Sequence, residues 1–338
     1  MGHEHEIEKS AECPHCAVPA KKWYRERLNQ IFIVTFVVLA SGLFFPAMRP
    51  VLDAWIDYFS LIWWALLLGF LLGGAIDYFV PEHLVERHLK AKKKRTILKA
   101  VILGFLMSAC SHGILAIAME LYKKGASTAS TVAFLLASPW ANLPITVLLF
   151  GFFGPKAFLI ILSAIIIAVI TGIIFQFLEH SGRVEGAKKK PVKETRLQKK
   201  GKKETPVLGI LRGSWNLTKM VLWWILIGML LASLARAFIP TEAFHQFLGP
   251  TLLGLFLTLA FATIIEVCSE GSAPLSFEIF RQTGALGNSF VFLMAGVVTD
   301  YTEIGLVWSN IGKRAAVWLV IVSVPQVLLL GWLFNLLL

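Results

Sequence analysis

The chain has 338 residues, of which 57% are hydrophobic and only 16% charged, with 11 Trp and 25 Phe. A soluble domain of that size could not hide so much apolar surface. The formal net charge of +11 does not mark a nucleic-acid binder: Lys and Arg gather between apolar runs, as in loops held on the cytoplasmic side of a membrane. The lipid bilayer is the partner this composition requires.

Residues 1–28 read as a cytosolic tail. Cys13-Pro14-His15-Cys16 has metal-ligand spacing; a redox pair and a plain unstructured tail are the other readings. Lys21, Lys22, Arg25 and Arg27 precede the first apolar run, Ile31–Ala47, which has no small-residue cleavage site after it. Residues 29–50 therefore read as an uncleaved anchor with its N-terminus inside.

Beyond the anchor the chain repeats itself. Trp63-Trp64 and Trp223-Trp224 open two similar apolar runs. Downstream, Cys110-Ser111-His112-Gly113 matches Cys268-Ser269-Glu270-Gly271 at an offset of 158. The same offset pairs Phe134–Asn142 with Phe292–Asp300, and Gly154 with Gly312. We read residues 55–180 and 213–338 as two copies of one membrane unit, joined by a Lys-rich cytoplasmic linker over 181–212. Ala157–Phe177 and Ala315–Leu338 hold no charge and exceed 20 residues each, enough for a hydrocarbon core of roughly 30 Å.

Loop charge constrains the topology. Basic clusters at Arg87–Lys99, Ser181–Arg212 and Lys313-Arg314 contrast with Pro240–Pro250, which has no Lys or Arg. With every cluster inside, an even number of crossings separates Lys99 from Ser181, yet three apolar segments lie between them. Ile97–Met119, interrupted by Ser108–Gly113, is expected to enter and leave from the cytoplasm, and Leu252–Ser276 to do so from outside. The expected fold is an all-α polytopic membrane protein: an N-terminal helix plus two inverted-topology repeats of about four membrane segments each, with broken or re-entrant segments at the midplane.

The breaks carry the residues suited to chemistry. Gly and Ser let a helix unwind, exposing backbone groups that only a protein-lined cavity tolerates at membrane depth. Cys110 and Cys268 bring soft sulfur ligands there, fitted to trivalent arsenicals, Cu(I) or Zn(II); read singly, each is a small buried hydrophobe. Ser111, His112, Gly113, Glu266, Ser269 and Glu270 stand beside them. A carboxylate at the bilayer centre costs roughly 2.5–3.5 kcal/mol on insertion scales, so Glu266 and Glu270 point to a cavity, a cation or proton site, or a headgroup location. Ser138, Pro139 and Asn142 interrupt the next segment, where proline frees carbonyls. Asp300 stands opposite Asn142 as a proton carrier or an interfacial acid. No Walker A sequence, GxSxG elbow or HExxH is present, so ATP-driven transport and standard hydrolase chemistry have no support. The chain reads as a non-enzyme without a cofactor.

ACSHG (Ala109–Gly113), YKKGAS (Tyr122–Ser127), FLLASPWANLP (Phe134–Pro144), EVCSEGSAPLS (Glu266–Ser276) and FLMAG (Phe292–Gly296) resemble the predicted permease family that includes the ArsP-type organoarsenical efflux permeases. The resemblance covers roughly Leu61 to the C-terminus. It implies about eight membrane segments and, for some members, export of trivalent organoarsenicals through cysteines, here Cys110 and Cys268 with Ser138-Pro139 as the accompanying motif. Where many members read CSCG, this chain has His112, which favours a mixed sulfur and nitrogen ligand set. The expected function is secondary-active efflux of a thiophilic metal or metalloid species, with protons as coupling ion, across the cell (inner) membrane. A membrane-embedded metal-sensing or binding subunit is the alternative.

Overall fold

The computed structural model describes residues 27–79, 94–105, 111–123, 125–141, 143–186, 205–265 and 269–338. They form helices throughout, with no strand among the described residues. In chain order these are α1 (Arg27–Phe44), α2 (Arg49–Phe79), α3 (Lys94–Phe105), α4 (Ser111–Lys123), α5 (Thr128–Ala141), α6 (Leu143–Phe153) and α7 (Lys156–His180). There follow α8 (Pro206–Phe238), α9 (Thr241–Leu248), α10 (Leu252–Ile265), α11 (Ser269–Thr283), α12 (Leu286–Val298), α13 (Tyr301–Asn310) and α14 (Lys313–Leu337). Among the described residues five helical stretches are long and apolar enough to cross a membrane: Pro46–Ala75, Lys156–His180, Pro206–Phe238, Leu286–Asn310 and Lys313–Leu337. The pair α9–α10, bent by 102°, is a sixth candidate. Large apolar side chains such as Phe36, Phe177, Ile264 and Leu337 lie bare on the outside, a surface that lipid rather than water covers. The chain is a multi-pass membrane protein.

The helices recur at the sequence offset: α3, α4, α5 and α6, shifted by 158 residues, overlie α10, α11, α12 and α13. Packing recurs with them. Gly172 of α7 has the space of a missing side chain filled by Ile97, Ala133 and the Ala129 carbonyl. Gly331 of α14 meets Leu255, Val291 and the Gly287 carbonyl, each 158 residues further on. In both places a glycine lets the last long helix lie against two others at backbone distance, which a Cβ would prevent.

The two halves meet along α2 and α8, which run antiparallel. Asp57 pairs with Arg236 at 2.8 Å, while Gly74 at the other end of α2 touches Ser214 and the Ile210 carbonyl. Further contacts between the halves come in reciprocal pairs. α6 packs on α11 and α4 on α13, while α5 meets α12 and α7 meets α14.

Hydrogen bonds define the two ends of the bundle. At one end the Tyr122 hydroxyl donates to the Gly186 carbonyl (3.1 Å) and the Thr128 hydroxyl to the Glu185 carbonyl (2.5 Å). There the Glu185 carboxylate accepts the backbone N–H of Arg314 (3.2 Å) and Ala315 (3.0 Å), serving the bare donors that open α14. At the other end Asn288 donates to the Gly249 carbonyl and to the Thr258 hydroxyl, both at 3.0 Å, and Asn335 donates to Asn288 at 2.7 Å. Asn335 also accepts the Gly287 N–H at 2.8 Å. It lies close to the C-terminal end of α14, a 25-residue helix about 37 Å long, so the Glu185 and Asn335 networks occupy opposite ends.

Candidate functional site

The region of interest comprises the junction between α12 and α13 and the CS-x-G and Ser138–Pro144 segments of the sequence. Local sequence explains the junction. At the α12–α13 junction Asp300 starts the motif Asp300-Tyr301-Thr302-Glu303, a D-x-x-E arrangement that opens helices. Asp300 Oδ1 accepts the Glu303 N–H at 3.3 Å, so this acid acts as an N-cap for α13.

Asp300 is 8% exposed and Glu303 2%. The sequence reading left Asp300 between a buried and an interfacial position; the fold buries it. Glu303 was not anticipated, although the D-x-x-E spacing is visible in the sequence. Beside them the Thr299 and Thr263 hydroxyls lie 2.7 Å apart. Thr263 is in the last turn of α10, so this contact draws the α12–α13 junction next to the C-terminal end of α10. Gly228 of α8 comes so close that a Cβ there would sit 2.0 Å from the Gly271 carbonyl. The Trp223–Gly228 stretch thereby lies directly against the first turn of α11.

The predicted residues divide clearly. Ser111, His112 and Gly113 form the first turn of α4, Ser269 and Glu270 the first turn of α11, and Ser138 and Pro139 the last turns of α5. Cys110, Asn142, Glu266 and Cys268 lie outside the described residues, as do Cys13, His15 and Cys16. Among the described residues no three of His, Cys, Asp and Glu gather as a metal-binding group.

A second polar cluster, which sequence reading missed, lies toward the Asn335 end. Glu278 of α11 is 1% exposed. It accepts the Tyr58 hydroxyl from α2, Arg281 Nε and Nη2 at 2.9 and 3.0 Å, and Gln282 Nε2 at 2.6 Å. Arg236 of α8 stands 5.9 Å from the Tyr58 ring centroid. The Phe277 ring packs between Tyr58, Phe152 and Phe153, and Lys156 lies over Phe280. The signal was there to find: Glu120 and Lys123 precede Glu278 and Arg281 by the same 158 residues. An apolar cavity of about 330 Å³ opens between α8, α9, α10 and α11, with Glu278 in its wall.

A multi-pass helical membrane bundle is an architecture that permeases use. The match to known proteins agrees: residues 50–336 fit the family described as a predicted permease, the ArsP-type family, and the chain belongs to it. It is 24% identical over 273 residues to the UPF0718 protein YcgR of Bacillus subtilis (strain 168), covering 79% of this chain and 90% of that protein. It is 23% identical over 238 residues to a putative two-component membrane permease complex subunit of Streptococcus mutans serotype c, covering 70% of this chain and 78% of that one. No solved structure matches the chain.

Proposed function

We propose that this permease exports a thiophilic metal or metalloid species, a trivalent organoarsenical or Zn or Cu, by secondary-active transport driven by protons. The observation that carries the reading is the pair of CS-x-G motifs at equivalent positions of the two repeats. Cys110 and Cys268 are assigned as sulfur ligands, with His112 as a nitrogen ligand. Ser111, Gly113, Ser138, Pro139, Asn142 and Ser269 line the substrate site in this reading. Glu266, Glu270 and Asp300 are the proton carriers in this reading. The mixed sulfur and nitrogen donor set that His112 gives suits Zn or Cu.

We read the two halves, 55–180 and 213–338, as inverted repeats around a midplane site, with residues 1–28 and the linker 181–212 cytoplasmic in the cell membrane. The ties at the bundle ends support this. Tyr122, Thr128, Glu185 and Arg314 share one end with the basic runs, which is cytoplasmic by the charge rule. Ile97 near the start of α3 and Tyr122 at the end of α4 both lie toward that end, as a re-entrant pair requires. α10 and α11 begin and end beside Gly249 and Gly284, toward the opposite end. Residues 29–50 form the anchor that precedes the first repeat.

The test is flux in liposomes containing the purified protein alone. Methylarsenite, Zn(II) or Cu(I) should move under an imposed proton gradient, and Cys110→Ser with Cys268→Ser should abolish the movement. Full flux in the double variant removes the ligand assignment. One observation favours a second reading, a subunit that senses or binds metal for a partner: the S. mutans relative carries the name of a two-component complex subunit. In that case Cys13, His15 and Cys16 hold the metal, and flux requires a second chain.

A further inference from the structure

We propose that Tyr58, Glu278 and Arg281 form the lock on the outer mouth of the transport path, an inference that rests on the permease reading above. Three observations converge on it. Glu278 uses both carboxylate oxygens for three donors, one of them on another helix 220 residues away in sequence. The bond to Tyr58 is therefore the polar stitch between α2 of the first half and the α10–α11 unit of the second.

Its cost argues against a purely passive role. Glu278 is buried while the Arg281 side chain is 36% exposed, and removing a partner from a buried carboxylate is strongly unfavourable. Such a contact suits an element with a made and an unmade state. The surroundings supply the second state. Leu275, one turn before Glu278, and its neighbour Ile279 line the apolar cavity between α8, α9, α10 and α11. Parting α11 from Tyr58 joins that cavity to the seam between the halves. The Phe277 ring, packed on Phe152 and Phe153, moves with the same helix face.

The third observation is the duplication. Glu120 and Lys123 occupy the positions of α4 that correspond to Glu278 and Arg281 in α11. In an alternating mechanism each mouth needs its own lock, and the i, i+3 acid–base pair recurs at the C-terminal ends of both α4 and α11.

The experiment measures access rather than transport. Cys13, Cys16, Cys110 and Cys268 are replaced by Ser, Leu275→Cys is introduced, and a membrane-impermeant maleimide is added from the outer face. With Tyr58 and Glu278 intact, Cys at 275 should label slowly. Tyr58→Phe removes one hydroxyl and keeps the ring, and should raise the rate about tenfold, the scale of a lost hydrogen bond to a charged group. Glu278→Gln serves as the second variant should Tyr58→Phe fold poorly, and should give a rise of the same order. A lowered melting midpoint with unchanged labelling in both variants overturns the lock and leaves a structural rivet. The readout is independent of substrate. If the native protein carries none of the three tested species while labelling rises as stated, the transport assignment falls and the lock stands as a conformational device.

Discussion

The first long-helix junction, around Gly172, and the second, around Gly331, have the same shape and different polar chemistry. Both bring three helices together at a glycine through contacts displaced by 158 residues. At the first, the nearby helix starts are served by carboxylates: Glu179 faces the Ala129 N–H at 3.5 Å, and Glu185 caps α14. At the second, the corresponding Gly287 N–H is met by the neutral amide of Asn335, which is bonded in turn to buried Asn288. Close packing kept the backbone geometry alike, because a misplaced Cβ is costly anywhere in a dense interior. The caps were free to differ. Glu185 and Asn335 are both half-buried, but Asn335 also bonds the fully buried Asn288, a contact that favours a neutral donor–acceptor group.

That contrast can be broken at several points. The largest effect belongs to Gly287→Ala. A methyl group there meets the Gly331 carbonyl at 1.8 Å, so the helices must part. A loss of at least about 3 kcal/mol is expected from overpacking against backbone. Gly172→Ala meets only the side chains of Ile97 and Ala133 at 2.7 and 2.8 Å and should cost less, about 1–2 kcal/mol. Thermal unfolding in detergent, followed by size-exclusion recovery, ranks the two; equal losses would show that the junctions are not strained in the way described.

Asn288→Ala comes next. It strips partners from Gly249, Thr258 and Asn335 together, and about 2–3 kcal/mol of destabilisation is expected from polar groups left buried. Glu185→Ala should cost about 1 kcal/mol as a lost helix cap. Glu185→Gln should recover part of that, because an amide oxygen still accepts N–H. If Glu185→Gln is as damaging as Glu185→Ala, charge rather than hydrogen bonding holds that end. The smallest effect is expected from Asp57→Asn. The Asp57 side chain is 60% exposed, and its pair with Arg236 should contribute no more than about 1 kcal/mol, readable only as a slight shift in the same melt.

Much of the architecture was legible before any coordinates. Repetition of CS-x-G and FLxA at one offset anticipated helices that recur at that offset. Apolar run length located two of the long spans, α7 and α14. Other features lay beyond local pattern. Nothing near Tyr58 announces Glu278, since the contact joins two helices by tertiary packing alone. α9, turned sharply from α10, shares an apolar stretch with it, and only Gly249-Pro250 hinted at the bend. Whether Asp300 is buried was not legible either, because packing rather than local pattern produces burial. For the cysteines, sequence remains the sole guide.

The reciprocal contacts between the halves have a consequence for how the chain could be made. α6 on α11 and α4 on α13, with α5 against α12 and α7 against α14, form the kind of self-complementary pattern found at two-fold interfaces between separate subunits. Covalent continuity between the halves then serves stoichiometry more than geometry. Two polypeptides, 1–190 and 200–338, co-expressed from separate reading frames, should find each other in the membrane and co-purify through a tag on either one. A split protein of that sort would turn an internal seam into an assembly step that can be titrated.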